Sequence, residues 1–81
     1  LPLSQLGGSV LLDLEDKQLF IDNKGEIHEE KNDADVTLKM SEADLDAVLK
    51  GEENVISLFT MGRIAVEGDM NLAFRLKSIL G

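Results

Sequence analysis

Reactive side chains are few in this chain, and most stand close together. The single histidine, His28, lies in the run DNKGEIHEE, with Asp22, Glu26, Glu29 and Glu30 around it. An imidazole among carboxylates could move protons or bind a metal. The common zinc sites need a second imidazole or thiolates, and the chain has one His and no Cys. As a calcium loop the run fails, because Lys24 stands where an oxygen ligand is needed and Gly25 arrives too early. The other acids here, Asp13, Glu15, Asp16, Asp33 and Asp35, fall in turns and on polar strand faces. Water surrounds such positions, whereas paired-acid chemistry needs one carboxyl in an apolar setting. The glycines mark isolated turns, with no GxSxG elbow, P-loop or GxGxxG run. His28 and the acids therefore read as solvated charge, with no catalytic residue, no metal site and no cofactor expected.

Composition narrows the classes further. The chain has 81 residues, 43% hydrophobic and 30% charged, with a net charge of −8. That length suits one small domain, residues 1–81, whose folding hides only about 60% of its unfolded surface. The acidic balance excludes nucleic acid as a partner, since phosphate binding needs clustered Lys and Arg. It also opposes strong docking on an anionic membrane. No apolar run is long enough to span a bilayer. Absence of cysteine is compatible with a reducing compartment, and a cytoplasmic location is expected.

What must position the apolar residues is visible in two periodicities. Residues 1–8, LPLSQLGG, are a lead-in broken by Pro2 and Gly7–Gly8. Alternation then predicts strands at 9–15, 18–23, 26–31 and 34–40, the last with Ala34, Val36, Leu38 and Met40 inward. Short connections between them predict an antiparallel meander. Ser41 opens a helix that Gly51 closes, with Leu45, Val48 and Leu49 as its buried stripe. Asn54 caps a second, VISLFTM, which is apolar on nearly all sides and so expected to be buried on nearly all sides. RIAVE, 63–67, returns to strand period, and Asp69 caps the last helix, MNLAFRLKSIL. The order is β-β-β-β-α-α-β-α, an α+β fold with helices on one face of the sheet.

The last helix carries more apolar surface than a sheet-seated helix needs. At ~100° per residue, Asn71, Arg75 and Ser78 make a polar strip of only about 60°. Met70, Leu72, Ala73, Phe74, Leu76, Ile79 and Leu80 hold the rest, interrupted by Lys77. A stripe of roughly 100° would suffice, and this arc is about twice that. Three explanations stand: the two late helices pack on each other, a second copy covers them, or they enclose a cavity.

The segments ADVTLKMSEADLDAVLKGE and FTMGRIAVEGDMNLAFRL resemble the sterol carrier protein 2 domain. The features are Ser41, Asp44–Leu45, Gly51–Glu52, Phe59, Gly62–Arg63, Gly68–Asp69–Met70 and Ala73, in the family's order, over about residues 9 to 80. The resemblance implies a five-stranded, mainly antiparallel sheet with helices over one face and an apolar tunnel between them. It implies non-enzymatic binding or carriage of fatty acyl chains, acyl-CoA or sterol-like lipids. Phe59, Met61, Met70, Phe74 and Leu76 would border the tunnel. With Leu45, Leu49, Ile56, Ile64 and Val66 they form the expected lipid-binding set. The family's amphipathic helix before the first strand is expected to be absent, since only LPLSQLGG stands there. Phe59-Thr60-Met61-Gly62 departs from the family's Phe-Met-Ser/Thr-Gly order. No Trp or Tyr is present, which favours a pliable acyl-chain tunnel over a rigid steroid slot. The implied partners are a lipid or fatty acyl ligand, transiently a membrane, and a second copy in a homodimer. The competing reading is an accessory or dimerisation module of the same fold with no lipid transfer role.

Overall fold

A short hairpin opens the sheet, β1 (Val10–Asp13) against β2 (Gln18–Ile21), followed by β3 (Ile27–His28) and β4 (Val36–Lys39). The helices α1 (Glu42–Leu49) and α2 (Val55–Thr60) come next, then β5 (Ala65–Gly68) and α3 (Met70–Leu80). The computed structural model describes residues 6–80, with side chains through Ser78. The first part of the lead-in, Pro2 included, and the side chains of Ile79 and Leu80 lie outside the described residues. The observed order is the one the periodicities predict.

The sheet runs β3-β2-β1-β4-β5. Pairings β1–β2, β2–β3 and β4–β5 are antiparallel, whereas β1–β4 is parallel. The predicted meander thus ends at β3, and residues 29–35 carry the chain back to the centre of the sheet. The reason lies in what β4 must bury. Val36 and Leu38 align with Val10 and Leu12 across the parallel pair, and all four side chains are buried. Beside β3, which has two residues and an exposed Ile27, the same side chains would sit at an edge. The return is fastened to the start of β1. Ser9 N–H donates to Asp35 Oδ2 and Asp35 N–H donates to Ser9 Oγ, each at 3.0 Å.

One face of the sheet carries the core. Ile21, Val10, Val36 and their register neighbours Leu12 and Leu38 meet Val48 of α1, Val55 and Leu58 of α2, and Leu72, Ala73 and Leu76 of α3. Each Val, Leu or Ile side chain among them contributes about 1.5–3 kcal/mol on burial. The helices start where their caps allow. Ser41 Oγ accepts from Asp44 N–H at 3.0 Å, Asn54 Oδ1 from Ser57 N–H at 2.8 Å, and Asp69 Oδ1 from Asn71 N–H at 2.9 Å. Gly68 sets the entry to α3. Its φ is 109°, and a Cβ there would collide with the Asp35 carbonyl oxygen. The same carbonyl accepts the Asp69 N–H at 2.9 Å, so the first turn of α3 is pinned to the start of β4.

Two helical expectations are corrected. In α1 the inward side chains are Val48 and Asp44, with Leu45 half-buried, while Leu49 is 60% exposed. Asp44 turns in because Arg63, on the approach to β5, pairs with its carboxylate. In α2 only Val55 and Leu58 are buried, while Ile56 and Phe59 face outward, as does Met61 just past the helix. A helix of six residues touches the core along one side, and among the described residues no element covers the other.

Candidate functional site

The outward side of α2 and the outward side of α3 face each other across a cleft of about 280 Å³. Ile56, Phe59 and Thr60 project from α2 at positions i, i+3 and i+4, the spacing that places side chains on one helix face. Met70, Ala73, Phe74 and Lys77 do the same from α3. Val55 and, from β5, Val66 close the bottom. Phe59 is 44% and Phe74 52% exposed, so the phenyl rings stand as walls open to water. Beneath them Val55, Leu58, Ala73 and Leu76 fill the interior.

The lining sets what this cleft can do. Its polar groups are the Thr60 hydroxyl and the Lys77 amine. Thr60 Oγ1 donates to the Ile56 carbonyl at 2.9 Å, so that hydroxyl is engaged within the helix. What remains is aliphatic, aromatic and thioether surface, which attracts alkyl groups by excluding water. A hollow of different character is lined by Glu15, Lys39, Met40, Ser41, Asp44 and Arg63.

The residues expected to bind lipid are distributed unevenly. Ile56, Phe59, Val66, Met70 and Phe74 line the cleft. Leu45 and Leu49 lie instead on a shallow hollow of α1 with Glu42, Ala43 and Asp46. Met61 is exposed beyond the end of α2 and does not line the cleft. Ile64 and Leu76 belong to the closed core, 2% and 1% exposed. Four lining residues, Val55, Thr60, Ala73 and Lys77, stand outside the expected lipid-binding set. Helical spacing carried the signal for two of them, since Ala73 and Lys77 fall three and seven positions after Met70.

The histidine run sits elsewhere, at the β2–β3 turn. His28 Nε2 donates to Asp22 Oδ2 at 2.9 Å, and Asp22 Oδ1 accepts from the Lys24 and Glu26 amides at 2.9 Å each. The hydrogen bond to His28 holds the Asp22 carboxyl below its ordinary value, with the Glu26 amide adding to the effect. The same bond raises the imidazole above its ordinary value, against a partial desolvation. Asp22, Glu26 and His28 present oxygen and nitrogen atoms within 4.8 Å of one another. His28 is thus a half-buried member of a turn-closing ion pair rather than a free surface residue. Strand pairing brings it there, opposite Phe20, whose ring centroid is 6.1 Å away.

A model of the SCP-2 sterol transfer family matches residues 2–81. The chain belongs to that family. Among SCP-2 relatives, the Rattus norvegicus protein described as "Sterol carrier protein 2" is 39% identical over 46 residues, 57% of this chain. The match spans 8% of that relative's length. The fold is also that of solved SCP-2 structures. The sterol carrier protein domain 2 of Helicoverpa armigera superposes with a TM-score of 0.80 at 22% identity, covering 96% of this chain and 69% of that one. Sterol carrier protein 2 of Aedes aegypti, solved in complex with the C16 fatty acid palmitate, gives a TM-score of 0.81 at 19% identity, covering 91% and 73%. As elsewhere in this SCP-2 chain, no helix among the described residues is long and apolar enough to cross a membrane.

Proposed function

We propose that residues 1–81 form one lipid-binding domain, which takes up and carries the aliphatic part of a lipid in the α2–β5–α3 cleft and catalyses no reaction. The observation that carries this is the convergence of Ile56, Phe59, Met70 and Phe74 on one cleft. Exposed apolar side chains scattered singly are ordinary, whereas a contiguous set around a concave surface marks a binding site. Both rings are already about half covered, so an alkyl chain laid over them would contribute about 0.7–1.5 kcal/mol for each. Family membership and the palmitate complex of the Aedes relative support an acyl chain as ligand. A lining without Trp or Tyr supports the same choice over a rigid steroid.

Small-molecule pockets run from about 300 Å³ upward, so this cleft holds part of a long chain as it stands. A tunnel between sheet and helices would form by α2 moving off α3. The short α2 is the element suited to that motion, since one side of it alone is anchored in the core. Loading would follow transient contact with a membrane, and carriage would follow through the cytoplasm.

The test is thermal unfolding with and without palmitate, together with mass spectrometry of denatured, freshly purified protein. A ligand at a hundred times its Kd stabilises the fold by about 2.7 kcal/mol, which a melt detects. Copurified lipid and a raised Tm are the expected results. An unchanged Tm with no passenger lipid overturns the reading. The exposure of Phe59 on the cleft and of Met61 just past α2 favours a second reading, an interaction module in which another copy covers this surface. A tight dimer by light scattering, with no lipid uptake, would decide for it.

A further inference from the structure

We propose that Lys77 is the head-group anchor of this cleft, and that the preferred ligand is therefore a long-chain carboxylate rather than a neutral sterol or alcohol. The inference rests on the cleft being the lipid site.

Lys77 lines the cleft together with eight uncharged residues, and among the described residues no acid joins them. That is unusual in a chain with 16 acids and 8 Lys and Arg. Lys17, Lys39, Lys50 and Arg63 each pair with a carboxylate, and Arg75 donates to the Leu6 carbonyl. The ammonium groups of Lys24, Lys31 and Lys77 make no ion pair or hydrogen bond among the described residues, but Lys24 and Lys31 are exposed, whereas Lys77 is partly buried against apolar side chains. Its place on α3 suits a cation. It lies in the last turn, where the carbonyl end of the helix favours positive charge.

Position along the helix gives the cleft a direction. Lys77 is seven residues after Met70 on the same stripe, about 10 Å along the axis at ~1.5 Å per residue. One end of the cleft is therefore thioether and aromatic, and the other ends in an ammonium. An amphiphile laid along α3 would put its tail against Met70 and Phe74 and its carboxylate on the Lys77 Nζ. The bland account is that the lysine stem supplies methylenes to the wall while its head stays in water. The two accounts differ in whether charge matters.

The experiment compares palmitate with 1-hexadecanol, which has the same chain and no charge, on the native chain, Lys77→Met and Lys77→Arg. Binding is read by calorimetry, with a melt of each variant as the folding control. Methionine keeps the apolar stem and removes the ammonium. A charge-assisted hydrogen bond lost from the head group should cost palmitate roughly tenfold in Kd on Lys77→Met. Lys77→Arg should stay near the native value, and hexadecanol should bind all three alike. Equal palmitate affinity on the native chain and Lys77→Met overturns the anchor and leaves the cleft reading intact. A failure of both ligands on the native chain overturns the cleft reading, and the anchor with it.

Discussion

α3 presents two apolar faces made from the same kinds of residue, and they meet different fates. On one face Leu72 and Leu76 are 3% and 1% exposed, seated on the β4–β5 side of the sheet. On the other, Met70 and Phe74 stand about half in water beside Ile56 and Phe59 of α2. α2 repeats the contrast, with Val55 and Leu58 inside and its other apolar residues outside. Residue chemistry does not separate the faces. What separates them is whether a second layer of the fold lies opposite. The covered faces therefore hold the structure together, and the open ones are available to bind something else.

That division can be broken from the covered side first. Leu58→Ala removes a fully buried side chain beneath the cleft. It should lower unfolding free energy by about 2–5 kcal/mol in guanidinium titration. A domain this small has only about 5–15 kcal/mol in total, so that loss approaches unfolding. A result within the noise would mean that the interior repacks and the two faces are not distinct.

Next in size is the tie between α1 and the approach to β5. Arg63→Ala leaves the Asp44 carboxylate buried without its partner. The expected loss is about 1–3 kcal/mol, and the further change Asp44→Leu should restore part of it. Additive effects in that double-mutant cycle would show that the pair is not coupled.

The open face should behave in the opposite way. Phe59→Ser and Phe74→Ser should each lower stability by only about 1 kcal/mol, since each ring is about half covered. Together they should weaken palmitate binding by about tenfold or more, because each loses the apolar contact of one ring. Unfolding of either single variant would place these rings with the core instead.

The smallest effect is expected at the β2–β3 turn, remote from both faces. The imidazole of His28 should titrate above 6.5 by NMR, and Asp22→Asn should return it towards that value. Because its folded value is raised, its stabilising share is full below pH 6.5 and fades as pH rises through the raised value. The Asp22 share has the opposite sign, present above pH 3.8 and lost as pH falls through the lowered value. An unshifted His28 would remove the ion pair from the account of the turn.

Much of the fold was readable from short-range signals. Ser41, Asn54 and Asp69 mark helix starts because a side-chain oxygen two or three residues ahead of a free amide has one productive geometry. Val36, Leu38 and Met40 alternate because successive strand residues point to opposite sides, and all three are buried. The parallel β1–β4 pair was not readable. Nothing local in VTLK says which strand it will join, and the choice follows from the match of Val36 and Leu38 with Val10 and Leu12. The cleft was partly readable. Stripe spacing points to Met70 and Phe74, but the same spacing cannot tell Leu76 in the core from Phe74 in water.

The order of strands and helices, their caps and the excess of apolar surface on α2 and α3 are properties of neighbouring residues, and for that reason they can be read along the chain. Which part of that excess is covered depends on where the sheet lies, and the sheet is assembled from strands far apart in the chain. Folding α3 back onto β4 and β5 closes over Leu72 and Leu76 and leaves Phe74 and Lys77 facing α2. A helix can turn only one side towards a flat sheet, so a wider apolar arc leaves a remainder, and the position of that remainder is a fact of three-dimensional packing.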